Sequence, residues 1–233
     1  MMPRDILRPA HSGVEDPADL PGVVRDACAL RYGSDFDESA LLEAMRSIIR
    51  ALDLQGIPHV LVGGLALIQY VEGRNTRDID LILAAKDLGR IPGFVLRECN
   101  DMFASGECGS LRIDVLLADH EFFAEVARVH SEIRQFKDGQ LRCATPEGIL
   151  LLKLFALPSL YRQGQIDRAA IYETDIFQLL RRHPMAPALL LEQLRPHLPE
   201  SDLRALGQVL DEIQGRIAKP TRFGDNRSAP SIP

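Results

Sequence analysis

The stretch His59–Leu83, HVLVGGLALIQYVEGRNTRDIDLIL, decides how the chain is read. Val60, Leu61 and Val62 make an apolar strand, Gly63 and Gly64 a turn, Leu65 to Tyr70 a short apolar helix, and Asp78 to Leu83 a second strand. Charge inside that second strand is the anomaly, because a carboxylate taken out of water without a cationic partner is costly. Residues two apart on a strand point to the same face, with Cα atoms roughly 6.6 Å apart. Asp78 and Asp80 therefore share one side, and Ile79, Leu81 and Leu83 take the other. A hard divalent cation is the natural partner of such a carboxylate pair.

Upstream, apolar residues recur at threes and fours from Glu38 to Leu54 (Leu41, Leu42, Met45, Ile48, Ile49, Leu52), the period of an amphipathic helix stopped by Gly56 and Pro58. Residues 1–36, with Pro3, Pro9, Pro17 and Pro21, read as an arm with at most one short helix at 22–30. Downstream, strands are expected at Phe94–Leu96, Asp101–Ala104 and Ser110–Leu117. The last contains LRIDVLL, apolar except for Arg112 and Asp114, as a strand buried on both faces would be. Asp119 is placed as the cap of a helix ending near Val129, and Asp138-Gly139 as a two-residue hairpin turn between strands 133–136 and 141–143. Thr145-Pro146-Glu147 then announces a helix, with an N-cap, a proline at the first position and an acid in the first turn. From there the chain is helical: 146–157, 167–182, 186–195 and 201–217. The expected fold is α/β (α+β), a mixed sheet flanked by helices. Its parts are the arm (1–36), a catalytic domain (37–145), a C-terminal helical domain (146–218) and a disordered tail (219–233).

Composition bounds the function. The chain has 233 residues, 46% hydrophobic and 26% charged, which is enough for a real core. A net charge of −6 argues against a generally basic nucleic-acid coat protein and leaves room for a local basic patch. Cys28, Cys99, Cys108 and Cys143 are scattered, with no C-x-x-C, so no zinc site is expected and the cysteines read as reduced. The N-terminus lacks the apolar run of a signal peptide, and no segment approaches the ~20 apolar residues of a membrane span. The expected location is cytoplasmic, with no membrane partner.

Three features can carry chemistry. Asp114 either completes a two-metal site with Asp78 and Asp80, with ions ~3.5–4 Å apart, or pairs with an arginine such as Arg74 or Arg77. Gly63 and Gly64 either let backbone N–H groups approach a phosphate or make an ordinary tight turn. Lys153, alone in ILLLKLFAL, and Asp175, aligned with Ile171 and Leu179, are isolated charges on apolar helix faces. They form a structural ion pair, or Lys153 meets a triphosphate while Asp175 orients it, and both can hold at once.

Taken together, these residues resemble the nucleotidyltransferase fold of the DNA-polymerase-β superfamily. Its signature is a hydrophobic residue, Gly-Gly or Gly-Ser, a spacer, and Asp-x-Asp or Asp-x-Glu. Here that is Val62-Gly63-Gly64 and Asp78-Ile79-Asp80, with thirteen residues between Gly64 and Asp78. Gly63, Gly64, Ala66, Arg74, Thr76, Asp78 and Asp80 are similar to the G-G-x-A and R-x-T-x-D-I-D of AbiEii-like nucleotidyltransferases, toxins of abortive-infection systems. Where those toxins carry K-D-x-x-D, this chain has Tyr172-Glu173-Thr174-Asp175. The resemblance implies Mg²⁺ held by Asp78, Asp80 and Asp114, with Lys153 as a further catalytic residue. Gly63, Gly64, Arg74, Thr76, Lys153, Arg162 and Asp175 would bind an NTP, and Asp167 is a second candidate from the same region. It implies transfer of a nucleoside monophosphate to a hydroxyl of a tRNA, a protein or a small molecule, with an antitoxin as a further partner. Two other readings compete: a binding module of the same fold without turnover, and an aminoglycoside-type antibiotic nucleotidyltransferase.

Overall fold

A computed structural model of the protein describes residues 38–72, 78–109, 111–136 and 139–219. The arm, the residues beyond Lys219, residues 137–138 and residues 73–77 with Arg74, Thr76 and Arg77 lie outside the described residues.

Helix α1 spans Glu38–Leu54, as its period predicts. It ends in a Schellman-type closure: Gly56 takes φ of 60°, its N–H donates to Asp53 O, and the Ile57 N–H reaches back to Leu52 O, both at 2.9 Å. Ile57 is then buried beside Met45, Ile48 and Leu52. Next come β1 (Val60–Val62), α2 (Gly63–Ile68) and β2 (Asp78–Leu83). A 3-10 turn (Ala85–Arg90) leads to β3 (Phe94–Cys99), β4 (Phe103–Cys108) and β5 (Leu111–Leu117). After α3 (Glu121–Val129) come β6 (Ser131–Phe136) and β7 (Gly139–Ala144). Helices α4 (Pro146–Arg162), α5 (Ile166–Arg182), α6 (Pro187–Leu194) and α7 (Glu200–Ala218) complete the described chain.

The seven strands form one mixed sheet in the order β3-β4-β5-β2-β1-β7-β6. Its parallel pairs are β2–β5 and β1–β7, and the others are antiparallel. The centre of the core is the apolar side of β1, β2 and β5, where Leu61, Ile79, Leu81, Ile113 and Val115 are essentially inaccessible. Beyond it the chain is an α/β protein with helices flanking the sheet, as expected.

Four local expectations are corrected. Asp119 does not cap α3; His120 occupies the N-cap, and the Asp119 carboxylate accepts the Ala85 N–H at 2.7 Å, tying the end of β5 to the chain leaving β2. Strand β5 is not buried on both faces: Leu111, Ile113, Val115 and Leu117 are buried, whereas Arg112 is exposed and Asp114 half-buried. β3 continues past Leu96 to Cys99, and β4 runs Phe103–Cys108 rather than Asp101–Ala104, because the Asn100 side chain accepts the Met102 and Phe103 N–H groups in the turn and main-chain pairing continues beyond it to Cys108. Helix α4 passes Leu157 and continues through Pro158 to Arg162, losing one rung of its hydrogen-bond ladder. Its start is as read, with the Thr145 hydroxyl accepting the Gly148 N–H at 3.2 Å.

Candidate active site

Register builds the site. In the parallel β2–β5 pair, Asp80 lies opposite Asp114 and Asp78 opposite Arg112. Side chains at paired positions of neighbouring strands stand on the same face, about 5 Å apart at their base. Asp78, Asp80 and Asp114 thus occupy one face of two adjacent strands, while Ile79, Leu81, Ile113 and Val115 seal the other. The antiparallel β1 neighbour sets Val62 beside Asp80, so the chain turns into the diglycine right at the acids.

Gly63 and Gly64 shape the seat of Asp80. Gly63 has φ of 60°, and a Cβ built there would run into the Asp80 carboxylate. Both facts demand glycine. The Gly64 N–H donates to Asp80 Oδ2 at 3.3 Å. Even so, the Asp80 carboxyl is pushed up to about 6, first by burial and then by the negative charges of Asp114 and Asp78, against the Gly64 N–H and the Lys153 ammonium, which pull it down.

Lys153 and Asp175 are brought together as the apolar faces of α4 and α5 require. Lys153 Nζ lies 2.8 Å from Asp175 Oδ2, with both side chains almost fully buried. Nζ also sits 4.1 Å from the centroid of the Tyr172 ring. Arg168, one turn earlier on α5, stands 5.9 Å from the same ring. The aromatic and the carboxylate clasp the ammonium from two sides, and its charge reaches Asp80. Tyr172 carries no lone signal in the sequence; only its helical spacing to Asp175 points toward the lysine.

The structure separates the remaining expectations. Arg162 sits at the last turn of α4, nine residues past Lys153, roughly 13 Å along the helix axis. Its guanidinium is committed to both Asp202 oxygens, at 2.9 and 2.8 Å, joining α4 to α7 rather than facing the acids. Asp167 lies in the first turn of α5 and is exposed. Arg74 and Thr76, like Arg77, fall outside the described residues. The described partner of Asp114 is a residue that was not singled out, Arg112, whose Nε donates to Asp114 Oδ1 at 3.1 Å. The signal for it was present: two residues apart on one strand means one face.

Among the described residues, no three His, Cys, Asp or Glu side chains are gathered to hold a metal ion as they stand. The backbone aligns the acids, while the Asp114 side chain is engaged by Arg112. The donor chemistry nevertheless fits a hard cation: every candidate ligand atom is a carboxylate oxygen, and burial, followed by the charge of Asp114, raises Asp80, a cost that a divalent ion at the carboxylates would offset. A separate cavity of about 710 Å³ opens at the far end of β2, lined by residues including His59, Leu83, Lys86 and Arg128; none of the three acids lines it.

No protein-family model matches the chain, and no curated protein matches it. Among solved structures the likeness is to nucleotidyltransferases. The solution structure of the antibiotic-resistance factor ANT(2'')-Ia is 15% identical over 78% of this chain and 96% of that one, with a TM-score of 0.49. The crystal structure of ANT(2'')-Ia in complex with adenylyl-2''-tobramycin is 17% identical over 77% and 99%, with a TM-score of 0.48. A crystal structure of an antigenic nucleotidyltransferase-like protein from Paracoccidioides brasiliensis is 14% identical over 72% and 92%, with a TM-score of 0.44. All three scores are below 0.5, so the functional reading below rests on the acids and their register.

Proposed function

We propose that the protein is a Mg²⁺-dependent nucleotidyltransferase that moves a nucleoside monophosphate from an NTP to an acceptor hydroxyl. The observation that carries this reading is the β2–β5 register, which aligns Asp80 with Asp114 and keeps Asp78 on the same face. Three carboxylates on one face of two largely apolar strands have a use when they meet a common cation.

Asp78 and Asp80 would hold Mg²⁺, with Asp114 as the third ligand. When bound, the ion supplies charge neutralisation for the phosphates and orients an in-line displacement. The rest falls to the chain. Asp114, on the strand beside Asp80, accepts the proton of the acceptor hydroxyl as its oxygen forms the new bond to the α-phosphorus. The bond from that phosphorus to the bridging oxygen breaks, and pyrophosphate leaves with the electron pair. Lys153 meets the negative charge of the triphosphate, and Asp175 and Tyr172 hold the ammonium in place. Gly63 and Gly64 bring bare backbone to the same spot, which seats Asp80, and their turn would present backbone to the triphosphate at the acids. Arg162 is assigned no part in this, since its Nη1 is held by both Asp202 oxygens.

Incubating the protein with each α-labelled NTP, Mg²⁺ and cell lysate, then identifying the labelled species, tests the activity and reports whether the acceptor is RNA, protein or a small molecule. Asp78→Asn and Asp80→Asn should abolish labelling while the protein remains folded. Labelling that survives either substitution contradicts the proposal. The toxin reading rests on the G-G-x-A and D-I-D resemblance; it predicts growth arrest on expression that Asp80→Asn relieves, and equal growth of the two strains would remove it.

A further inference from the structure

The acid face contains one cation on its own strand. Arg112 precedes Asp114 by two residues, stands opposite Asp78 in the register, and hydrogen-bonds Asp114 through Nε at 3.1 Å. Its side chain is 59% exposed against 24% for Asp114, so the pair is open to water and to exchange. A guanidinium does not lose its proton in this setting; the fields of Asp114, Asp78 and Asp80 raise it further. Asp114 therefore faces a positive charge in the absence of other ligands, whereas Asp80, one strand away, is met among the described residues by the Gly64 N–H and by the field of Lys153, itself paired with Asp175.

We infer that Arg112 is an internal counter-ion for the acid face, occupying Asp114 until a divalent cation displaces it. The inference rests on the metal reading of the three acids and deepens it by saying how the site is kept from holding an ion too readily. Two consequences follow from the geometry. The oxygen engaged by Arg112 has to be released before Asp114 can ligate, so the ion pair subtracts from metal affinity. The guanidinium, once released, remains on the same face as Asp78 and so stays beside whatever anion arrives with the metal. Arg112 is a positioning residue here: it acts through Asp114.

Mn²⁺ binding to the full chain without nucleotide, followed by electron paramagnetic resonance of the free ion, reads this directly. Arg112→Gln should bind Mn²⁺ about two- to fivefold more tightly than wild type, the range expected from removing a half-exposed ion pair. Arg112→Lys, which keeps charge but loses the planar fork, should fall between the two. A residue needed only for structure would do the opposite and weaken binding. In an Asp114→Asn background the tightening by Arg112→Gln should shrink to the smaller effect of its charge on Asp78 and Asp80, because the ion-paired partner is gone. Affinity in Arg112→Gln that is equal to or weaker than wild type overturns the inference, as does a tightening that is undiminished in Asp114→Asn. Wild-type protein that binds no Mn²⁺ at all, even with an NTP present, overturns the metal reading and this inference with it. Wild-type binding that Asp80→Asn abolishes but Arg112→Gln leaves unmoved overturns the role of Arg112 alone.

Discussion

Asp175→Ala separates what the buried ion pair does for the fold from what it does for the site. The wild-type pair is tight, 2.8 Å between Lys153 Nζ and Asp175 Oδ2, with side-chain exposures of 7% and 2%. Removing one member of such a pair leaves an uncompensated buried charge and typically costs about 3–5 kcal/mol. Two features soften the loss here: the Tyr172 ring remains 4.1 Å from the ammonium, and Asp80 lies within its field. The expected cost is therefore at the low end, about 3 kcal/mol, or roughly 6–12 °C in Tm for a chain of this size. The double variant Lys153→Met with Asp175→Leu removes both charges and fills the space with apolar atoms, so it should recover most of that stability. It should not recover nucleotide transfer, because no ammonium is left for the triphosphate. Urea unfolding with an unchanged m-value measures the first effect, and labelled-NTP transfer the second. A double variant as unstable as Asp175→Ala would refute the reasoning about the pair. So would an Asp175→Ala loss below about 1 kcal/mol, the size of an exposed ion pair.

Three further perturbations follow from the same geometry. Gly63→Ala meets both a positive φ and the Asp80 carboxylate, so it should cost about 2 kcal/mol or more and abolish transfer, whereas Gly56→Ala, with φ of 60° but open space around it, should cost about 1 kcal/mol in the same urea assay and keep activity. Asp80, raised from 3.8 to about 6, is easier to ionise in the unfolded chain; metal-free wild type should therefore lose stability relative to Asp80→Asn as pH rises from about 4 to about 6 and stay level above, by at most about 3 kcal/mol at ~1.4 kcal/mol per pH unit, and parallel curves across that window would contradict the cause assigned to the shift. Arg162→Ala removes an exposed arginine from a largely buried Asp202 between α4 and α7, so it should lower stability by about 1–3 kcal/mol and leave the KM for NTP unchanged; a several-fold rise in KM would return Arg162 to the nucleotide site.

Much of the active face was legible because its residues violate their own period. Asp78 and Asp80 interrupt a strand that is otherwise Ile and Leu, and Lys153 interrupts the apolar run Ile149–Leu157 of its helix; each exception had to be matched by a partner. The diglycine was legible as a turn, but the packing reason for Gly63, the Asp80 carboxylate against its Cα, needs two strands placed side by side. The pairing of β2 with β5 joins residues 34 positions apart across an intervening hairpin, and no local pattern encodes it. Arg112 shows the opposite failure. Its i, i+2 relation to Asp114 is in plain view, and it supplies the described partner of Asp114, whereas Arg74 and Arg77, the arginines the sequence reading offers, lie outside the described residues. Asp119 was read as a cap because acids favour helix N-termini; the free Ala85 N–H at the end of β2 competed for it and won. Arg162 was placed by resemblance alone, and Asp202, forty residues on, claimed it.

The central claim is that acids on two parallel strands act as one unit, and single-turnover transfer from an α-labelled NTP by Asp78→Asn, Asp80→Asn, Asp114→Asn and the triple variant tests it most directly. Members of one unit should each lose about 10³-fold or more, with the triple variant little worse than any single one. An Asp114→Asn protein that is folded and within about tenfold of wild type would contradict the account.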